Sequence, residues 1–263
     1  MIELQNVRKS FDGGRSNAVA DTSFTVERGE LLGLIGESGC GKTTTLRMIN
    51  RLEEPSHGSI LVNGENVLQQ NPETLRRNIG YVFQGIGLFP HYTVAENVAA
   101  VPRLLNYSDA RVQARTEATL AMVGLSAEEY AQRLPAQLSG GQQQRVGVAR
   151  ALAAEPDVVL MDEPFGALDP ITRAELQEEF KRIQADLQLT VIMVTHDMTE
   201  ALLMADRIAV MKQGEVLQIG TPTELLNSPA HPYVSELVEM PRLRADRLEQ
   251  LLRGGSGPGQ RDE

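Results

Sequence analysis

The sequence predicts an α/β fold with a helical segment inserted in its core, and two observations carry that prediction. Short apolar runs recur along the 263 residues and alternate with helix-like stretches, the pattern of a sheet covered by helices. Between about residues 94 and 153 the strand signal gives way to Ala-rich, helix-like sequence, and it returns at Val158.

Taken in order, residues 2–8 and 19–26 alternate with period two and read as strands. Residues 31–35 form an apolar run that ends in a Gly-rich turn. A helix is expected from near Gly41, carrying Leu46 and Ile49. Residues 60–62 and 79–83 read as further strands, and 94–153 as helices with a break at Pro135. Strands return at 158–161, 191–194 and 208–211. From Gly214 the pattern is a short strand and amphipathic helices, punctuated by Pro222 and Pro229. Residues 254–263, GGSGPGQRDE, have the composition of a disordered tail. No internal repeat is visible.

Composition narrows the function. Asp and Glu outnumber Lys and Arg by 35 to 25, a net charge of −10. Nonspecific nucleic-acid binding needs clustered positive charge, so no nucleic-acid partner is expected. The longest unbroken apolar run is residues 201–205, whereas a bilayer span needs about 20 apolar residues. The start, Met-Ile-Glu-Leu-Gln, lacks the basic and apolar segments of a secretory signal. Cys40 is the only cysteine, so no intrachain disulfide forms. These features favour the cytoplasm.

Residues 36–43 read Gly36-Glu37-Ser38-Gly39-Cys40-Gly41-Lys42-Thr43, with Thr44 next. They fit G-x-x-x-x-G-K-[ST] between a strand and a helix. Such a loop turns backbone N–H groups inward on a phosphate, and the helix start adds positive potential. In such a loop Lys42 can reach the β- and γ-phosphates, and the Thr43 hydroxyl can ligate magnesium. A helix N-terminus lowers a thiol's pKa, so Cys40 is a candidate nucleophile. The plainer reading is a small side chain tolerated in the loop.

Val158-Val159-Leu160-Met161-Asp162-Glu163-Pro164 is an apolar strand closed by two carboxylates. Asp162 suits magnesium, directly or through water, and Glu163 suits polarising a water for attack on a γ-phosphate. Two strand-ending acids facing solvent is the alternative reading. Leu138-Ser139-Gly140-Gly141-Gln142 then opens a helix-like run from Gln144 to Leu152, another helix start able to face an anion.

With these motifs in this order, roughly residues 1–240 resemble the ATP-binding-cassette (ABC) ATPases. The resemblance implies a P-loop NTPase (RecA-like) core, an N-terminal antiparallel β subdomain and a helical subdomain at about 89–153. Residues 241–253 would then be a C-terminal helical extension. It implies ATP and magnesium as cofactors. Phe11 falls where the family stacks adenine, and Gln84 where a glutamine touches magnesium and water. Ser139, Gly140, Gly141 and Gln142 resemble the signature loop, Asp169 the loop coupling two sites, and His196 the histidine on the γ-phosphate. The family implies a head-to-tail homodimer, each site using Lys42, Asp162, Glu163 and His196 from one chain and Ser139 and Gly141 from its partner.

The segments at residues 48–55, 77–91, 93–98 and 101–105 are similar to the ATPases of quaternary-amine importers, which take up glycine betaine, choline, carnitine or proline. That resemblance implies integral-membrane permease subunits, an extracytoplasmic substrate-binding protein and a peripheral location on the cytoplasmic face of the inner membrane. An importer of another solute, such as an amino acid, is the alternative. A soluble ABC ATPase of DNA repair or translation fits the acidic balance and the missing heptad insertion poorly. Many longer relatives carry a paired regulatory module after the cassette, and too few residues follow 240 for one here. The apolar, aromatic stretch 85–92 reads either as local core packing or as a groove for a permease helix.

Overall fold

The apolar runs at residues 31–36, 158–162 and 190–195 are buried along their whole length, because each lies inside a parallel sheet covered on both faces. The computed structural model describes residues 1–254. Residues 255–263, nearly all of the expected tail, lie outside the described residues.

The chain begins with β1 (Ile2–Lys9), β2 (Val19–Val26) and β3 (Leu31–Gly36), followed by α1 (Lys42–Ile49). Next come β4 (His57–Val62), β5 (Glu65–Asn66), α2 (Pro72–Arg77) and β6 (Ile79–Val82). Helices α3 (Val94–Leu104), α4 (Asp109–Met122), α5 (Ala127–Tyr130) and α6 (Gly140–Leu152) follow, with a 3-10 turn over Pro135–Gln137. The remainder is β7 (Val158–Asp162), α7 (Pro170–Leu187), β8 (Thr190–Thr195), α8 (Met198–Met204), β9 (Arg207–Lys212), β10 (Glu215–Gly220), α9 (Pro222–Asn227) and α10 (Pro232–Gly254).

Two sheets form. One is antiparallel, in the order β2-β1-β4-β5. The other runs β10-β9-β3-β8-β7-β6 and is parallel apart from the β10–β9 hairpin. Alternate side chains of its central strands feed two cores. Leu32, Leu34, Val158 and Leu160 pack with Leu46, Met48 and Ile49 of α1 and with Ile2, Leu4 and Ile60 of the antiparallel sheet. Leu31, Ile35, Val159 and Met161 face the helices, including Val146, Phe180 and Val234. Because β3, β6, β7 and β8 are parallel, the residues that follow each of them emerge at one edge, where ligands of open α/β sheets sit.

Four elements go beyond the expected list. Helix α7 starts on an Asp169 cap with Pro170 in its first turn and buries Leu176, Phe180 and Ile183. Helix α8 starts on an Asp197 cap, and α2 on Asn71. Strand β5 is two residues long. The boundary expected at 240–241 falls inside α10, which continues through Pro241.

Candidate nucleotide site

The phosphate loop follows β3 without a break. Its shape depends on backbone contact that only glycine permits at two places. A Cβ on Gly41, at φ +106°, would meet the Ala18 carbonyl oxygen at 2.4 Å, and one on Gly36 would meet the Met211 carbonyl oxygen at 2.1 Å. The loop is braced from the β9–β10 turn as well, where the Gly214 amide donates to the Cys40 carbonyl at 3.0 Å. Ser38 and Gly39 are exposed at the crest, and Thr44 is half-buried on α1.

Lys42 is 6% exposed. Its Nζ donates to the carbonyls of Gly36 at 2.7 Å and Glu37 at 2.9 Å. Cys40 is buried, and burial pushes its thiol up despite the nearby Lys42 charge. The expected helix-start effect is therefore outweighed by desolvation, and Cys40 is a neutral packing group in the loop.

The Thr43 hydroxyl donates to Asp162 Oδ1 at 2.9 Å, joining the loop to the end of β7. Burial raises the Asp162 carboxyl above the usual range, against the Thr43 hydrogen bond and the Arg47 charge. Half-buried Thr43 and buried Asp162 thus form an all-oxygen pair at the loop's mouth, the chemistry a hard dication accepts.

Glu163 has φ +46°, a left-handed backbone uncommon for a glutamate. Its amide is held by the Val194 carbonyl at 2.9 Å. Two side chains meet on one oxygen of its carboxylate. Gln84 Nε2 donates to Glu163 Oε2 at 3.1 Å, and His196 Nδ1 lies 3.2 Å from the same atom. His196 is itself 63% exposed, so the cluster opens to solvent.

The loop that carries Gln84 has positive φ at Gly85, Ile86 and Gly87. It is clamped from α6 by Arg150, which is 7% exposed and donates to the carbonyls of Gly87 at 2.8 Å and Ile86 at 3.3 Å. The stretch 85–92 divides between its two readings. Leu88 packs on the core, whereas Phe89 and Tyr92 stay exposed with their rings 5.1 Å apart.

Phe11 is 63% exposed, with Lys9 Nζ 4.7 Å from its ring centroid. Ser139 and Gln142 close a reciprocal cap at the start of α6, and Gln142 Nε2 donates to the Tyr130 hydroxyl at 3.3 Å. Gly140 is exposed, and a Cβ on Gly141 would meet Thr172 Cγ2 at 2.5 Å. Asp169 caps α7 through the amides of Ile171 and Thr172. The fold therefore gathers Lys42, Thr43, Asp162, Glu163, Gln84 and His196 at one edge. It leaves Ser139–Gln142 bonded within its own loop and to Tyr130.

Sequence reasoning passed over Arg150 and Tyr233. Arg150 carried a signal, a lone charge within Val146–Leu152, otherwise apolar and small. A hollow of about 1060 Å³ between α3, α4 and α5 is lined by none of the motif residues. The motif residues form an open edge instead.

A parallel sheet with a phosphate loop after one strand and a carboxylate pair after its neighbour but one is the arrangement of a phosphate-loop ATPase. The sequence matches the ABC transporter family over residues 19–166. It is 52% identical over 257 residues to the glycine betaine/carnitine/choline transport ATP-binding protein OpuCA of Bacillus subtilis. It is 53% identical over 258 residues to that organism's choline transport ATP-binding protein OpuBA. Each match covers 96% of this chain and 67% of the relative. Among solved structures, the dimeric post-hydrolysis state of the ATP-binding cassette MJ0796 with ADP and Pi superposes with a TM-score of 0.75 at 35% identity, covering 84% of this chain and 99% of that one. The chain belongs to the ABC transporter family and is an ATP-binding, ATP-hydrolysing cassette. No helix among the described residues is long and apolar enough to cross a membrane.

Proposed function

We propose that this chain is the motor subunit of an importer for quaternary amines such as glycine betaine or choline. The observation that carries the substrate class is its 52–53% identity, over nearly the whole chain, to two transport ATPases named for those solutes. In this reading residues 1–240 are the ATPase domain, 89–153 its helical subdomain and 241–253 an extension.

The chemistry follows from the clustered edge. Residues 36–44 cradle the phosphates of ATP and Phe11 stacks on its adenine. Lys42 exchanges its two carbonyl partners for phosphate oxygens, which a flexible ammonium does readily. Thr43, Asp162 and Gln84 would hold magnesium, which supplies charge neutralisation at the β- and γ-oxygens. Glu163 takes a proton from the attacking water, Gln84 orients that water, and His196 faces the γ-phosphate.

Two copies work head to tail. Ser139, Gly140, Gly141 and Gln142 of one face the γ-phosphate held by the other, and Asp169 couples the sites. The exposed start of α6, and the dimeric state of the related cassette, support this arrangement. Exposed Phe83, Phe89 and Tyr92 provide the contact with a helix of an integral-membrane permease. The chain then sits peripherally on the cytoplasmic face of the inner membrane, receiving solute indirectly from a binding protein.

The test is uptake of labelled glycine betaine and choline in cells carrying this chain with its partner subunits, with Glu163→Gln as control. Saturable uptake lost in the control supports both motor and substrate class. Intact ATP hydrolysis without uptake of either solute removes the quaternary-amine reading.

A further inference from the structure

Tyr233 lies in the first turn of α10, far along the chain from the phosphate loop, yet its side chain ends against that loop. It is 7% exposed, and its ring sits under Lys212, whose Nζ is 4.4 Å from the centroid. The phenolic oxygen is buried with no hydrogen-bond partner at bonding distance. The Glu37 backbone amide already acts on it as a donor without closing a full hydrogen bond, and the charges of Glu37 and Cys40 in the phosphate loop and of Glu236 on its own helix bear on it. Burial chiefly, with the Glu37 charge adding, pushes the phenol up, so it keeps its proton at neutral pH.

The same stretch of loop has two further ties. Lys42 Nζ bonds the Gly36 and Glu37 carbonyls, and the β9–β10 turn bonds the Cys40 carbonyl through Gly214. When Lys42 turns to a phosphate, the backbone at 36–37 gives up that donor and is free to shift. A buried phenol beside it is costly while unpaired and gains a bond if the loop moves onto it. A group shifts an affinity only by interacting differently with the two loop arrangements, and an unpartnered hydroxyl against a movable amide does so.

We propose that Tyr233 is a positioning residue for the phosphate loop, pairing with the Glu37 backbone when the loop holds phosphate and so tying α10 to nucleotide affinity. This rests on the reading that residues 36–44 cradle the phosphates. The distinguishing substitution is Tyr233→Phe, which keeps the ring and its Lys212 contact. The expected result is a three- to tenfold rise in KM and Kd for ATP, kcat within twofold, and a melting temperature unchanged or higher. A purely structural role would lower the melting temperature and leave KM alone. KM and Kd within twofold of the parent overturn the proposal.

Lys42→Ala run alongside separates the two ideas. If it leaves ATP binding intact, the phosphate-cradle reading fails. If it abolishes binding while Tyr233→Phe binds normally, only the positioning role fails.

Discussion

The Arg150 guanidinium donates to the Gly87 carbonyl at 2.8 Å, across 63 residues of sequence. One end of α6 thereby carries Ser139, and the other holds the loop that begins at Gln84. The same loop carries the Gln84–Glu163 contact, so the clamp links α6 to it through the backbone of residues 84–87.

Arg150→Met removes the clamp while preserving much of the apolar bulk. Charge-assisted hydrogen bonds contribute about 1.5–3 kcal/mol each, so a comparable loss of stability is expected. Hydrolysis is expected to fall about tenfold or more, as Gln84 loses its fixed position. Thermal melts and phosphate release measure the two effects, and unchanged turnover would show that Gln84 holds its place unaided.

Glu163→Gln retains side-chain shape and removes the proposed base. Hydrolysis is expected to drop by about 10²–10⁴-fold, the usual worth of general-base catalysis. ATP binding should stay within about threefold. Single-turnover kinetics beside equilibrium binding check this, and a residual rate near the parent's would move the base elsewhere.

Glu200 gives a pH dependence. It is buried, accepts from Gln177 Nε2 at 2.8 Å and from the Thr195 hydroxyl, and lines the same small hollow as His196. Burial raises its carboxyl and the Asp197 charge adds, while Thr195, Gln177 and Arg173 pull it down. A carboxyl raised on folding binds its proton more tightly in the folded state. Stability is therefore lost as pH climbs from the ordinary carboxylate range through the folded value. Glu200→Gln removes the buried charge, so its melting-temperature advantage should be larger at pH 8 than at pH 5, with each kcal/mol worth about 2–4 °C. An equal difference at both values would mean that Glu200 does not change ionisation on folding.

Phe89→Ser tests the permease contact. Phe89 is 46% exposed, so the change should cost the isolated chain little. Hydrolysis by the isolated chain is expected to stay within twofold, while solute uptake by the assembled system falls at least fivefold. Normal uptake would leave the exposed aromatic pair without that role. Leu88 is a poorer probe, because it packs on the core.

The phosphate loop and the carboxylate strand were legible because each is a continuous local pattern, an apolar run followed by chemistry. Their convergence was legible only through the order of motifs, since Thr43 and Asp162 stand 119 residues apart. Helix α7 was missed although its Asp169 cap and its Leu176–Phe180–Ile183 stripe are present, because charged residues crowd the segment between them. The Arg150 clamp and the Tyr233 contact were not legible. Each depends on a distant loop presenting backbone groups, and backbone groups leave no mark in the residue alphabet. Cys40 left two readings open at the helix start, and its burial supports the plainer one, a small side chain packed in the loop.

Glu163 occupies a backbone conformation that costs a glutamate about 1–2 kcal/mol and costs glycine almost nothing. Glycine at this position would relieve that strain at the cost of the Gln84 and His196 contacts and of the proposed base. Selection for heat resistance alone is therefore expected to tolerate changes at Glu163 that selection for turnover rejects, so any programme to harden this cassette has to score turnover in every round.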